Sequence, residues 1–167
     1  MLGIVKREPT KDELADWLAT VSGFIQGATE VDDRPTQLYE YQQEFNECAS
    51  RFRAVLKGRQ TGFSFTFAAE ALAKAHLKAE HTAIFVSYNL EDAKEKIRYA
   101  RMLYETMPTA WQRKLVTDNK TEIEFADAKG RRSRLISNPC REPRGKGKAD
   151  VYLDELAFYR DARRIYV

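Results

Sequence analysis

A glycine-containing loop at residues 57–64 is the stretch whose residue types best fit a chemical role. Its residues are Lys57, Gly58, Arg59, Gln60, Thr61, Gly62, Phe63 and Ser64. An apolar run precedes the loop and a helical pattern follows it. A strand, a glycine loop and a helix in this order bind anions, because the loop N–H groups and the positive end of the helix dipole both point at the ligand. We therefore predict that the loop binds phosphate groups.

The loop departs from the common phosphate-binding pattern at two positions. That pattern has a glycine, four residues and then Gly-Lys-Ser/Thr. Here Gly58 comes one position late, and Phe63 stands where the lysine is expected. Another cation must then neutralise the phosphates, and the candidates are Lys57 and Arg59, of which Arg59 is preferred. The alternative is that Phe63 packs the start of the helix and the loop binds nothing.

Two acids near the end of the sequence suit a metal and a general base. Residues 151–153 read as a buried strand, and Asp154 and Glu155 follow it directly. Ligands of parallel sheets bind at the carboxyl ends of the strands, so these acids are expected to meet the glycine loop. Asp154 and the Ser64 hydroxyl would hold Mg²⁺, and Glu155 would polarise a water molecule. The alternative is a strand that merely ends in a solvated acidic turn.

Helices and strands that could position these groups alternate along the chain. Helices are predicted at 10–26, 38–52, 65–78 and 90–107. Strands are predicted at 53–56, 82–87, 122–125, 134–136 and 149–153. This order predicts an α/β fold with a mostly parallel central sheet and helices on both faces. Residues 1–36 are expected to form an N-terminal helical extension, and residues 37–167 the core.

Composition indicates a soluble globular protein. The 167 residues are 43% hydrophobic and 32% charged, with a net charge of +3. Residues 129–148, called the basic segment below, hold eight basic residues and one acid, a net +7; this fits either contacts with DNA phosphates or a solvated loop. No apolar run approaches the roughly 20 residues that span a bilayer, and the two cysteines lack metal-site spacing. We expect an intracellular protein.

The motifs, taken in order, resemble those of one protein family. They are Tyr41-Gln42, Arg59-Gln60-Thr61-Gly62-Phe63-Ser64, Ser87, Arg144-Gly145 and Val151-Tyr152-Leu153-Asp154-Glu155. Over about residues 38–159 the chain resembles the ATPase part of the large terminase subunit of tailed phages, in particular the Mu-like prophage branch. In that family the loop often begins Arg-Gln-x-Gly, and some members lack the lysine.

The resemblance implies a three-layer, RecA-like P-loop NTPase that hydrolyses ATP with Mg²⁺. It implies that Gln42 contacts adenine and that Arg59 acts on the phosphates. Ser64 and Asp154 match the magnesium-binding positions, and Glu155 matches the catalytic acid beside them. The other loop residues would surround the phosphates.

The resemblance also implies partners. These are double-stranded DNA, a portal protein, a small terminase subunit and further copies of the chain in a ring, all in the bacterial cytoplasm. Arg144 is expected to act as a sensor or arginine finger. The later core strands and the nuclease domain of such proteins are not among the 167 residues. Two other interpretations stay open: another P-loop nucleic-acid motor such as a helicase, and a hydrolytically inactive terminase fragment.

Overall fold

Five helices and seven strands make up the described part of the chain. The computed structural model describes residues 10–87, 89–139 and 149–156, without the side chains of residues 138 and 139. The helices are α1 (Lys11–Ala19), α2 (Val21–Ala28), α3 (Glu40–Glu47), α4 (Phe63–Leu77) and α5 (Leu90–Thr106). The strands are β1 (Glu30–Val31), β2 (Arg34–Pro35), β3 (Thr82–Ser87), β4 (Lys114–Asp118), β5 (Glu122–Ala126), β6 (Arg132–Pro139) and β7 (Asp150–Leu153). A short 3-10 turn lies at Thr109–Trp111.

Five of the strands form one mixed sheet in the order β4-β5-β6-β3-β7. β3 pairs in parallel with β6 and with β7, whereas β5 pairs antiparallel with β4 and with β6. The predicted α/β fold is confirmed, but the sheet is mixed rather than mostly parallel. The reason is that β4, β5 and β6 follow one another through short turns, and a short turn can only join antiparallel neighbours.

The continuous apolar pattern of β3 reflects its burial on both faces. Ala83 and Phe85 belong to the large core cluster that contains the apolar side chains of α2, α4 and α5. Ile84 and Val86 point to the opposite face, where they pack with Leu153 of β7. Because β3 and β7 are parallel, their carboxyl ends open at the same edge of the sheet.

The predicted helix at 10–26 is two helices. The capping box of Thr10 and Glu13 begins α1 as predicted. The chain then breaks at Thr20, which has extended dihedral angles and accepts a hydrogen bond from the N–H of Gly23. Thr20 thus caps α2 and gives the chain a new direction. The next predicted helix, at 38–52, ends earlier, at Glu47.

The predicted strand at 53–56 is wrong. Residues 53–58 approach the loop without strand pairing, and Leu56 is fully exposed. A strand requires a neighbour for its N–H and C=O groups as well as apolar residues, and no described strand lies beside this segment. Among the described residues, no helix has the length and apolar content needed to cross a membrane.

Candidate phosphate-binding site

The glycine loop leads directly into the amino terminus of α4. Gly62 has a φ of +74° and precedes Phe63, the first residue of this fifteen-residue helix. A Cβ atom added to Gly62 would lie 2.9 Å from Nε2 of Gln42. The positive φ therefore favours glycine at this position, and a larger residue would also displace the end of the Gln42 side chain. The first N–H groups of α4 have no partner within the helix and, together with the helix dipole, favour an anion at this end.

Asp154, which follows β7, faces the start of α4. Ser64 donates a hydrogen bond of 2.6 Å to Oδ2 of Asp154, although 90 residues separate the two in sequence. Lys96 Nζ lies 2.8 Å from the same oxygen, and Lys57 Nζ lies 3.2 Å from Oδ1. The fold therefore joins the loop and the acid that the sequence predicted to meet.

The surroundings of Asp154 favour its ionised form. Burial acts to raise the pKa of the carboxyl group. The hydrogen bonds from Lys96 and Ser64, with the charges of Lys96 and Lys57, outweigh burial and lower the pKa from 3.8 to about 2. Asp154 is thus a carboxylate at any physiological pH, as a cation ligand must be.

Lys96 is a site residue that the sequence analysis missed. Its side chain is 3% exposed, and its ammonium group also donates to Ser87 Oγ and to the carbonyl oxygen of Asp92, each at 3.0 Å. The spacing contained a signal, because Lys96 lies three residues after Ala93 and four before Ala100, on the buried face of α5. A lysine on an apolar helix face needs a charged partner.

Phe63, which stands at the usual lysine position, is part of an aromatic cluster. Its side chain is buried, and its ring centroid lies 5.6 Å from that of Phe45, 5.7 Å from Tyr41 and 6.0 Å from Phe67. The aromatic cluster anchors the first turn of α4. The side chain of Phe63 therefore packs the start of the helix, as in the alternative interpretation of this residue.

Other predicted residues lie around the loop. Arg59 is exposed and forms no ion pair with any described residue. Glu155 is exposed, with a φ of +55°, a strained conformation that in non-glycine residues is concentrated at functional sites. Gln42 is buried and its Oε1 accepts a hydrogen bond from the N–H of Tyr39. Arg144 lies outside the described residues.

The remaining loop residues shape its backbone. Gln60 has a φ of +58°, and Gly58 is exposed. The carbonyl oxygen of Thr61 accepts a hydrogen bond of 2.9 Å from the hydroxyl of Tyr41, which ties the loop to α3.

The donor atoms at this site fit Mg²⁺ with additional ligands. Asp154 and Ser64 offer a carboxylate and a hydroxyl, the oxygen ligands that Mg²⁺ prefers. Within the described ranges no group of three or more His, Cys, Asp or Glu residues could hold a metal alone. A magnesium ion here therefore needs further oxygens, which phosphate groups supply.

The described part of the basic segment is largely paired with acids. Arg131 Nε lies 2.7 Å from Asp127, and Arg134 Nε lies 2.9 Å from Glu124. These contacts leave less free positive charge than the sequence count suggested. Residues 140–148 lie outside the described part of the chain.

Comparisons with known proteins point to one family. The sequence model for "Terminase large subunit, T4likevirus-type, N-terminal" matches residues 54–167. A search of curated proteins gave no significant match. The solved ATPase domain of the large terminase from Thermus phage P74-26 is similar in fold, with a TM-score of 0.59 and 16% sequence identity. The similarity covers 91% of this chain and 60% of that one, so the chain spans less than two thirds of the solved domain. The family match covers more than half of the chain, and the protein therefore belongs to the T4likevirus-type large terminase subunits.

Proposed function

We propose that this chain binds ATP with Mg²⁺ and hydrolyses it, as the ATPase part of a motor that moves double-stranded DNA into a phage procapsid. The observation that carries the proposal is the 2.6 Å hydrogen bond between Ser64 and Asp154. It places a hydroxyl from the first turn after a glycine loop against a carboxylate from the end of a parallel strand. That combination suits a phosphate bound together with a metal ion.

The loop, the start of α4 and the residues after β7 would each have a separate role in the reaction. The loop N–H groups and the amino terminus of α4 bind the phosphates. Ser64 and Asp154 hold Mg²⁺, which when bound withdraws charge from phosphoryl oxygens. Arg59, exposed and without an ion pair to any described residue, is available to the phosphates. Glu155, next to the metal ligand, accepts a proton from the attacking water.

The base of the nucleotide would lie at α3. The rings of Tyr39 and Tyr41 are exposed and stacked, with centroids 5.5 Å apart and planes 9° apart. They offer a flat apolar face of the kind on which a purine stacks. Gln42 comes next in the chain and touches the loop at Gly62. In this proposal Gln42 contacts adenine, and the hydroxyl of Tyr41 fixes the base site relative to the phosphates through Thr61.

The partners follow from the family. We propose double-stranded DNA as the translocated substrate, a portal protein and a small terminase subunit as assembly partners, and a ring of copies of this chain as the working form. Arg144 in this proposal acts on the nucleotide as a sensor or finger.

Nucleotide binding tests the site. We expect a fluorescent ATP analogue to bind the chain in the presence of Mg²⁺, Asp154→Ala to abolish that binding, and Arg59→Ala to weaken it. Asp150→Ala is the matched control, since Asp150 begins the same strand and lies at its other end. It should bind the analogue like the parent. A parent chain that binds no ATP would refute the proposed function.

Hydrolysis is a separate measurement. Glu155→Gln should bind ATP as the parent does and lose turnover about 100-fold or more, because a missing general base costs about 10²–10⁴-fold in rate. Turnover is measured as phosphate release with and without double-stranded DNA. If the parent binds ATP but releases no phosphate in either condition, the second candidate, a hydrolytically inactive nucleotide-binding chain, replaces the first.

A further inference from the structure

The loop lacks its usual lysine because Phe63 occupies that position. The aromatic cluster around Phe63 shows that this residue is part of the hydrophobic packing. Phe63 is packed against Phe45 and Phe67 and carries no charge that could neutralise a phosphate. A polyphosphate bound at this loop would bring several negative charges close to the buried carboxylate of Asp154. Some cation must lie close to it, because an unneutralised charge removed from water is costly.

Lys96 reaches the same place from outside the loop. Its ammonium group and the hydroxyl of Ser64 both touch Oδ2 of Asp154, so the charge lies beside the first turn of α4. We propose that Lys96 stabilises the bound phosphates electrostatically and supplies, from α5, the positive charge missing at position 63. This inference rests on the proposed function and adds a residue to it.

Lys96 is held in place more firmly than the loop's own cations. All three of its N–H donors have acceptors: Asp154, Ser87 and the carbonyl oxygen of Asp92. Lys57 has one contact, at 3.2 Å, and a more exposed side chain. Because these donors are occupied, Lys96 would act on a bound phosphate through its charge, whose position is fixed before the ligand arrives.

The charge balance also favours an anion. Asp154 contributes one negative charge, and Lys57 and Lys96 contribute two positive charges within 3.2 Å of it. The excess positive charge lies where the helix dipole of α4 already attracts an anion.

Metal-free binding distinguishes this role from a structural one. ATP and AMP are titrated separately in EDTA, so that the metal-holding function of Asp154 does not enter. We expect Lys96→Met to bind ATP about 10- to 100-fold more weakly than the parent, because the variant loses a positive charge close to the phosphates. AMP, which lacks the β and γ phosphates, should bind within twofold of the parent. Lys96→Arg should recover part of the ATP affinity.

The control variant is Lys74→Met. Lys74 lies on α4 and pairs with Asp150 at the other end of β7. It should leave the ATP affinity of the folded protein unchanged. If Lys96→Met does not fold, Lys96→Gln, which keeps a donor for Ser87, replaces it in the same titrations.

Three results would overturn the inference and leave the proposed function standing. They are parent-like ATP binding by Lys96→Met, an equal loss of AMP affinity, and parent binding that requires Mg²⁺ absolutely. A parent that binds no ATP even with Mg²⁺ refutes both.

Discussion

Strand β7 begins with Asp150 and is followed by Asp154, and each of these carboxylates receives a lysine from a helix of the same core. Lys74 Nζ lies 2.8 Å from Asp150, and Lys96 Nζ lies 2.8 Å from Asp154. Both lysine side chains are largely buried. By the ion pair alone, the two ends of the strand are equivalent.

The surroundings of the two pairs differ. At the amino end, Lys74 also contacts Glu70, and Glu70 accepts two hydrogen bonds from Arg53, so that two acids and two bases balance. At the carboxyl end, two lysines meet the single carboxylate of Asp154 beside a glycine loop and a helix amino terminus. The comparison shows that buried ion pairs do not by themselves mark a binding site. In the proposed function, what distinguishes the carboxyl end is positive charge next to the amino terminus of a helix.

The largest effect is expected at Glu70, which holds the amino-end cluster together. Its side chain is fully buried and lies 2.8 Å from both Arg53 and Lys74. Glu70→Ala leaves two partly buried cations without their shared partner and should lower the free energy of unfolding by about 3–5 kcal/mol. Urea unfolding measures this.

The matched control for Glu70 is Glu91→Ala, which removes an exposed ion pair with Lys94. It should change the free energy of unfolding by less than about 0.5 kcal/mol. If the two variants prove equally stable, the amino-end cluster is not a structural unit and the contrast between the two ends fails.

Features set by residues close together in sequence could be predicted, whereas features set by tertiary contacts were missed. The loop at 57–64, the strand β3 and the placement of Ser64 and Asp154 at one edge follow from short patterns and from the geometry of parallel strands. Lys96 was missed although its spacing places it on the buried face of α5, and only the tertiary fold identifies Asp154 as its partner. The strand predicted at 53–56 failed because apolar residues need a pairing neighbour, which a local pattern does not specify.

A smaller effect is expected from restoring the lysine of the usual loop. Phe63→Lys puts a charge among Phe45, Phe67 and Tyr41 and removes a buried ring. We expect a loss of about 3 kcal/mol of unfolding free energy, close to the cost of deleting a buried phenylalanine. ATP affinity should not rise.

Thermal unfolding and nucleotide titration of Phe63→Lys test this, with Phe65→Lys as the control because Phe65, two residues further along α4, is only partly buried. A stable Phe63→Lys protein with tighter ATP binding would show that the loop can use a lysine at this position. Lys96 would then not be the replacement.

The smallest expected effect is the difference between Asp150 and Asp154 in how each contributes to the pH dependence of stability. Burial acts to raise the pKa of both carboxyl groups. The hydrogen bond and charge of Lys74 nevertheless lower the pKa of Asp150, and the hydrogen bonds from Lys96 and Ser64 lower that of Asp154 to about 2. Carboxyl groups with lowered pKa values stabilise the fold above their unfolded-state pKa, and this stabilisation disappears as the pH falls through the folded-state value. Stability should therefore drop between about pH 4 and pH 2.

Asp154→Asn should flatten that drop more than Asp150→Asn, because the side chain of Asp150 is 42% exposed and water screens its ion pair. Near neutral pH, Asp150→Asn should cost no more than about 1 kcal/mol. Urea unfolding across this pH range gives both numbers. Equal flattening by the two variants would mean that the carboxyl end of β7 is no more enclosed than the amino end. Since the phosphate proposal needs an enclosed Asp154 held by excess positive charge, that result would count against it as well.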